Sequence, residues 1–271
     1  MKSGVYTVVT SFLLAAATNS SVTGAKPMSE LLLSSIHSKV YLQAQYNSPK
    51  PYTPPKPKSP GQPTGRNRGA ASRGDCLKSE SKLPLTALTS IYKEFTVSDR
   101  PTLWFYVPYT LSSQNWMQFS LREESDKSTE PRETKVAIPV RFVPGMIQIQ
   151  SPYLLEVGKE YRWTLAFFCQ DPDVQADQDQ ASVNGVIERK ALSSKLKEQL
   201  RINQSNPRKQ MFLYAENEIW FDALNTSARL RRDHSQDSVL LKNWRRMLKT
   251  IAVEDISEMP LQPCCDFPKK E

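Results

Sequence analysis

Residues 83 to 191 alternate apolar and polar side chains with a period of two, and this pattern constrains the fold more than any other feature of the chain. Within it, Ile147 and Ile149 alternate with glutamines. Such alternation is typical of strands that bury only one face. Seven short segments of this kind follow one another, with turn signals between them: LTALTSIY, TLWFYVPY, WMQFSLRE, TKVAIPVRFV, GMIQIQSP, YRWTLAFFC and SVNGVIERKA.

No helical pattern interrupts these segments, so a parallel sheet with crossover helices is disfavoured. Seven short strands within about 110 residues are typical of a two-sheet sandwich. We therefore predict an all-β plus α fold, with an immunoglobulin-like antiparallel β-sandwich over residues 76–191 and a short helical region after it.

The turn before YRWTLAFFC has the residues of a tyrosine corner, in which a Tyr near the start of a late strand hydrogen-bonds to the backbone just upstream. Leu155, Gly158 and Tyr161 fit this motif. Gly158 would permit the sharp turn, and Tyr161 would fix it. A ligand-stacking role for Tyr161 is the alternative, and we favour the structural interpretation.

After residue 191 the apolar period becomes helical. Three stripes with spacings of three to four residues run through residues 192–262, namely Leu192, Leu196 and Leu200, then Ile219, Ala223, Thr226 and Leu230, then Leu241, Trp244, Leu248 and Ile251. Residues 214–248 have the pattern of one tetratricopeptide-like helix pair. Because such arrays need about three units, we expect the helices to pack on the sandwich or on each other; a peptide-binding groove is the alternative. Residues 263–271 form a tail.

The N-terminus has the order of a secretory signal, with Lys2, an apolar run over residues 5–17 and then small residues. This pattern predicts a signal peptide over residues 1–25, with cleavage as late as Ala44. The apolar run, at ~1.5 Å per residue, is shorter than the ~30 Å bilayer core, so we expect no transmembrane span in the mature protein. The expected location is periplasmic or extracellular; a buried N-terminal helix is the alternative.

Residues 45–75 are predicted to form a proline-rich, basic, disordered linker. Seven prolines lie between Pro49 and Pro63, and six basic residues face only Asp75. Proline lacks an N–H and fixes φ, so this composition favours extended chain without a packed core. Two interpretations remain: a spacer kept soluble by its charge, or an arm that contacts an anionic glycan.

The basic character lies mainly outside the predicted domain. The whole chain has a formal charge of +8, but residues 1–75 contain nine basic and two acidic residues, whereas residues 76–271 contain 27 basic and 26 acidic ones. A domain that reads nucleic acid carries the basic patch itself. Nucleic acid is therefore not expected as a partner.

Several of these motifs together resemble an uncharacterised family of exported cyanobacterial proteins, domain-of-unknown-function family 928. The resemblance covers residues from about 66 to 260 and rests on GRNRGAASRGDC, LTAL, RPTLWFYVPY, LEVGKEYRWTLAFFC and EIWFDALNTSARLRR. It implies export and a sandwich-plus-helices architecture. It implies no activity.

Few residues of this chain suggest chemistry. Of the two histidines, His37 precedes the linker and His234 lies in a predicted inter-helix turn, so neither is expected to be catalytic. No phosphate loop and no zinc-spaced Cys/His cluster occurs, and no cofactor is predicted. The loop DPDVQADQD offers weak calcium candidates in Asp171, Asp173, Asp177 and Asp179. Since it departs from the EF-hand pattern, a solvated loop is the favoured interpretation.

Four cysteines allow three pairings in an exported protein. Cys264 and Cys265 are adjacent, and their Cα atoms, ~3.8 Å apart, are closer than a disulfide usually spans. We therefore predict that they do not pair easily with each other. Cys76 opens the folded domain and Cys169 ends the strand that begins at the tyrosine corner, and we predict that these two pair. Two free thiols at the latter positions are the alternative. Cys264 and Cys265 would then be a tail feature or an intermolecular link.

Two functional hypotheses follow. The first is a non-catalytic envelope or periplasmic protein that binds a partner protein or an anionic glycan. The second is a carboxylate-based hydrolase of envelope polysaccharide, which two acidic residues in a cleft would support. We favour the binding hypothesis.

Overall fold

The computed structural model describes residues 64–69, 76–79, 81–124, 133–174 and 180–268, which all belong to one compact unit. The predicted signal peptide lies outside these residues. The described part contains nine strands, four α-helices and a short 3₁₀ helix. The strands are β1 (Lys78–Ser79), β2 (Thr86–Ala87), β3 (Glu94–Thr96), β4 (Thr102–Val107), β5 (Tyr109–Glu123), β6 (Glu133–Phe142), β7 (Gly145–Gln150), β8 (Glu160–Phe168) and β9 (Ala181–Arg189). The helices are α1 (Ser194–Ile202), α2 (Pro207–Glu216), α3 (Trp220–Asp233), α4 (Ser238–Thr250) and the 3₁₀ helix Glu254–Ile256.

The strands form two sheets that share one core. One sheet has the order β1-β5-β8-β9-β3, with β6 also paired to β5, and the other has the order β2-β4-β7. The ring of Phe105 on β4 meets that of Trp163 on β8 edge-on, with centroids 5.6 Å apart. The predicted combination of a β-sandwich-like body and C-terminal helices is therefore confirmed.

The predicted alternation determines which face of each strand is buried. On β5, Met117, Phe119 and Leu121 are buried. Phe119 lies opposite Leu165 of β8, which is also fully buried. A shift of one residue in this register would expose every one of these side chains, so the alternation also specifies the pairing.

The prediction of a purely antiparallel sandwich is wrong at one edge. The three residues of β3 pair in parallel with β9, with Glu94 opposite Ile187. The chain leaves the smaller sheet after β2, crosses to the edge of the larger sheet to form β3, and returns to the smaller sheet as β4. A short crossing of this kind needs no helix, so the absence of helical patterns did not exclude it.

The helices close the sandwich at the edge next to β3. Side-chain acceptors cap α1 and α2, where Ser193 accepts the Leu196 N–H at 3.2 Å and Asn206 accepts the Lys209 N–H at 3.0 Å. The Trp220 indole N–H at the start of α3 donates to the Leu88 carbonyl at 2.9 Å. No helix of the described residues is long and apolar enough to cross a membrane.

Two further chain segments pair with the sandwich. Residues 64–69, within the range predicted as linker, form isolated bridges to β9 and β2, and Arg68 makes a two-pronged ion pair with Asp255 at 2.7 and 2.9 Å. After α4, Leu261 bridges Met146 in parallel. Phe267 then lies buried, with its ring 6.2 Å from that of Phe119. The predicted tail is therefore packed as far as Phe267.

Candidate binding groove

An open cavity of about 980 Å³ lies at one end of the sandwich, and we call it the groove. Five parts of the chain meet there: the segment around β1, the start of β5, the end of β6, the residue after β8, and the C-terminal tail. The residues that line it are Cys76, Lys78, Thr110, Leu111, Ser112, Ser113, Gln114, Asn115, Arg141, Phe142, Val143, Cys169, Gln262 and Pro263. Its volume is in the range of small-molecule and cofactor sites.

A disulfide forms one wall of the groove. Cys76 is bonded to Cys169, with Cα atoms 5.7 Å apart and 93 positions between them in sequence. Cys169 directly follows β8, and Cys76 precedes β1, so the bond ties the start of the domain to a central strand. The predicted pairing of these two cysteines is confirmed.

A bulge in β5 shapes the floor of the groove. The pairing of β5 with β6 shifts register between Leu111 and Asn115, where extra residues leave the ladder. Asn115 is 5% exposed, and its Oδ1 accepts the Ser112 N–H at 2.9 Å and the Ser112 hydroxyl at 3.2 Å. This hydrogen bonding holds the bulge so that Ser112, Ser113 and Gln114 are exposed at the groove.

Two cations line the groove. Lys78 and Arg141 are both exposed, and neither forms an ion pair with any described residue. They meet at this end because β1 and β6 pair with neighbouring residues of β5, Lys78 with Thr110 and Phe142 with Leu111. Among the described lining residues there is no Asp or Glu. The described lining of the groove therefore carries positive charge.

An apolar strip lies beside the cations. Val143, just after β6, is 56% exposed. Phe142 packs edge-on against Phe167, with ring centroids 6.4 Å apart. The groove thus places a small apolar surface next to hydroxyl and amide groups.

The C-terminal tail supplies the last wall. The Gln262 N–H donates to the Met146 carbonyl, and the Met146 N–H donates to the Pro260 carbonyl, both at 2.7 Å. These two bonds hold the tail along the edge of β7, so that Gln262 and Pro263 line the groove.

The prediction that Cys264 and Cys265 do not pair with each other is wrong. The structure joins them in a disulfide, with Cα atoms 3.7 Å apart. Both side chains are partly buried and pack against the apolar core. No described cysteine is free.

The predicted calcium loop is described only in part. Asp171 Oδ1 accepts the Asp173 N–H at 3.0 Å, which is a local turn. Asp177 and Asp179 lie outside the described residues. The described residues contain no group of three or more His, Cys, Asp or Glu that could hold a metal ion. The calcium interpretation therefore stays a prediction.

The other sequence candidates lie away from the groove. His234 is the exposed C-cap of α3, and its N–H donates to the Leu230 carbonyl; His37 is outside the described residues. The adjacent acids at the end of β5 are ion-paired, Glu123 to Lys159 at 3.2 Å and Glu124 to Arg162 at 3.0 Å. Arg162 and Arg122 together hold the pKa of Glu124 below its usual range, against the opposing effect of burial.

The tyrosine-corner residues lie at the start of β8, whereas the groove lies at its end, about 26 Å along the strand at ~3.3 Å per residue. Tyr161 Oη accepts the Glu156 N–H at 3.1 Å, Leu155 is 1% exposed, and Gly158 has a φ of +82°. This is the hydrogen bond that the corner interpretation requires. Burial raises the pKa of Tyr161.

Comparison with known proteins gives a family and no activity. A structural alignment with the third fibronectin III domain of the human KIAA0343 protein covers 50% of this chain and 96% of that domain. The two are 11% identical in sequence, with a TM-score of 0.25. No curated protein matches the chain. The family described as "Domain of Unknown Function (DUF928)" matches residues 68–261, which include β1 through the 3₁₀ helix. Since this match covers most of the chain, the protein belongs to the DUF928 family.

Proposed function

We propose that this protein is an exported, non-catalytic binding module of the cell envelope or periplasm, and that the groove is its binding site. In this proposal the body is an immunoglobulin-like sandwich, and α3–α4 is a tetratricopeptide-like pair that packs on it. The cyanobacterial origin that the family resemblance implies belongs to the same proposal.

The observation that carries the proposal is the composition of the groove. Exposed hydroxyl and amide groups, an apolar strip and two cations without acidic partners among the described residues face one open volume. A few polar groups set around a concave apolar surface are typical of ligand sites. The bulge that presents Ser112–Gln114 also supports this use, because bulges are frequent next to functional sites.

The alternative is a hydrolase of envelope polysaccharide that uses two carboxylates. A glycosidase places two acidic residues on either side of the bond it cleaves. The described lining of the groove contains none, whereas Glu123 and Glu124 are held in ion pairs elsewhere. The groove therefore favours binding over hydrolysis.

Export is supported by the disulfides. Disulfides persist in oxidising compartments and are rare in the cytosol. Cys76–Cys169 joins two segments far apart in sequence, so it would shape the domain only where it stays oxidised.

The test is retention of the purified full chain on isolated cell envelopes. Ser113→Trp places a large side chain at the floor of the groove on an exposed residue, so the fold should tolerate it. Ser205→Trp, at an exposed position between α1 and α2, is the matched control. We expect Ser113→Trp to lose most of the retention and Ser205→Trp to keep it.

Equal retention of the two variants would show that the groove is not the binding site. Release of reducing sugar ends from the envelopes, abolished by Ser113→Trp, would overturn the non-catalytic part of the proposal in favour of the hydrolase.

A further inference from the structure

The two cations of the groove define what its ligand must carry. Lys78 and Arg141 reach this end of β5 from two different strands, β1 and β6. Other described cations form ion pairs within the chain, as Arg245 does with Glu258 at 2.8 Å. A ligand with negative charges would supply the partners that the described chain does not give to Lys78 and Arg141.

The remaining polar groups define the rest of the ligand. Thr110 and Ser113 offer hydroxyls that both donate and accept, and Gln114 and Gln262 offer amides that do the same. The Ser112 hydroxyl donates its proton to Asn115, so it offers a ligand only an acceptor. Such a surface matches a ligand that also carries both donors and acceptors along its length. Sugar hydroxyls have this property, and a carboxylate alone does not, because it only accepts.

The apolar strip fits the same ligand. Val143 is more than half exposed beside the cations, and Phe142 is supported from behind by Phe167. A pyranose ring has an apolar C–H face and a polar rim, so it can cover Val143 while its hydroxyls reach the bulge. An open groove that a chain can lie across suits a polymer better than a small enclosed molecule.

We propose that the groove binds an acidic polysaccharide chain, with uronate carboxylates paired to Lys78 and Arg141 and sugar hydroxyls bonded to the Ser112–Gln114 bulge. This inference rests on the proposed binding function and adds the chemical class of the ligand. An acidic peptide shares the charge, and its backbone also offers donors and acceptors, but it lacks the pyranose ring whose apolar face would cover Val143 while its hydroxyls reach the bulge.

The experiment measures affinity of the purified full chain for three probes of equal length by isothermal titration calorimetry. The probes are oligogalacturonate, which has carboxylates and sugar hydroxyls, a neutral oligoglucan, and oligoglutamate, which has carboxylates and backbone amides but no sugar ring. Lys78→Gln/Arg141→Gln removes the groove cations. Lys242→Gln/Arg246→Gln removes two exposed cations of α4 and is matched in charge.

We expect oligogalacturonate to bind best. The groove pair of substitutions, Lys78→Gln/Arg141→Gln, should lower the affinity for oligogalacturonate at least about tenfold, which corresponds to about 1.4 kcal/mol. The α4 pair of substitutions, Lys242→Gln/Arg246→Gln, should change this affinity less than about twofold. Added salt should weaken the binding of oligogalacturonate to the unchanged chain. Loss of affinity in the α4 pair equal to that in the groove pair would show that general charge, including the basic linker, attracts the probe, and would overturn the assignment.

The outcomes separate this inference from the proposed function. If oligoglutamate binds as tightly as oligogalacturonate and depends equally on the groove pair, the groove binds an acidic peptide, so the ligand class is wrong and the binding function stands. A different outcome is that the neutral oligoglucan binds best, with the same affinity for the Lys78→Gln/Arg141→Gln variant as for the unchanged chain. In that case the anionic ligand class is wrong, and the proposed binding function stands. If no probe binds and Ser113→Trp keeps its envelope retention, both proposals fail.

Discussion

Removal of the Cys76–Cys169 disulfide should cost several kcal/mol because of the length of chain it closes. In the chain-entropy model, a cross-link between residues 93 positions apart lowers the free energy of folding by about 4.6 kcal/mol at 25 °C. The same relation gives about 1 kcal/mol or less for the adjacent pair Cys264–Cys265, which closes almost no chain. The two disulfides therefore form an internal comparison.

The measurement compares two double variants, Cys76→Ala/Cys169→Ala and Cys264→Ala/Cys265→Ala, in urea titrations followed by tryptophan fluorescence. All four cysteines are partly buried, and Cys76, Cys264 and Cys265 pack against the core, so each variant should lose a similar amount of side-chain packing. We expect the first variant to lose about 3–4 kcal/mol more free energy of unfolding than the second. A loss of this size is a large part of the stability of a typical domain, which is about 5–15 kcal/mol. Both titrations therefore start in trimethylamine N-oxide, which favours the folded state, so that each variant is folded at the start.

Equal losses in the two double variants, within about 1 kcal/mol, would refute the chain-entropy reasoning. The stabilisation would then come from contacts of the sulfurs in the folded state. A larger loss in the adjacent pair would show that the packed tail contributes more than the long cross-link.

Three further substitutions lie in β8, in β9 and in the turn before β8, and the effect of each is measured as a change in the free energy of unfolding. Tyr161→Phe removes the acceptor of the Glu156 N–H and should cost about 1 kcal/mol; an unchanged stability would show that water replaces the hydroxyl. Gly185→Ala should cost about 3 kcal/mol, because the new Cβ would lie 2.5 Å from Cζ2 of the fully buried Trp163. Gly158→Ala should cost only about 1–2 kcal/mol, from its φ of +82°, since no atom lies within 4 Å of its new Cβ. Gly158→Asn should cost less than Gly158→Ala, because Asn tolerates a positive φ, whereas Gly185→Asn should cost no less than Gly185→Ala. A smaller cost of Asn at both positions would contradict the packing argument.

The sequence predicted the strands that bury one face over several residues. β7 and β8 were visible because their buried side chains alternate with polar ones. β1 and β3 are two and three residues long, too short for any period to show. Helix α2 has no apolar stripe in the sequence, because it buries only Met211 and Leu213. Its start is marked only by the cap Asn206 and by Pro207 in the first turn.

The groove could not be predicted, because its residues come from five parts of the chain and share no local spacing. Lys78, Ser113, Arg141 and Gln262 meet only through the strand pairing and the packed tail. One local signal existed, since the run Ser-Ser-Gln at positions 112–114 interrupts the alternation of β5. The Cys76–Cys169 pairing, which was predicted, also marks this end of the sandwich.

The contact between α3 and β3 should depend on pH through Asp222. Its Oδ2 accepts the Thr96 hydroxyl at 2.7 Å and the Val97 N–H at 3.1 Å. Burial raises the pKa of Asp222 above its usual range, and the two hydrogen bonds only partly oppose this. A carboxyl whose folded-state pKa is raised contributes stability that is present below its ordinary pKa of about 3.9 and lost as pH rises through the folded-state pKa.

Asp222→Asn keeps an acceptor oxygen for both donors and removes the titration. The stability of the unchanged protein, relative to Asp222→Asn, should therefore fall as the pH rises from about 3 to 7, in urea titrations at matched pH values. Asp222→Ala should cost about 1–3 kcal/mol at pH 7, because the fully buried Thr96 and the Val97 N–H lose their acceptor. If the unchanged protein instead gains stability over Asp222→Asn as the pH rises, the two hydrogen bonds outweigh burial, and the charged carboxylate stabilises the contact between helix and sheet.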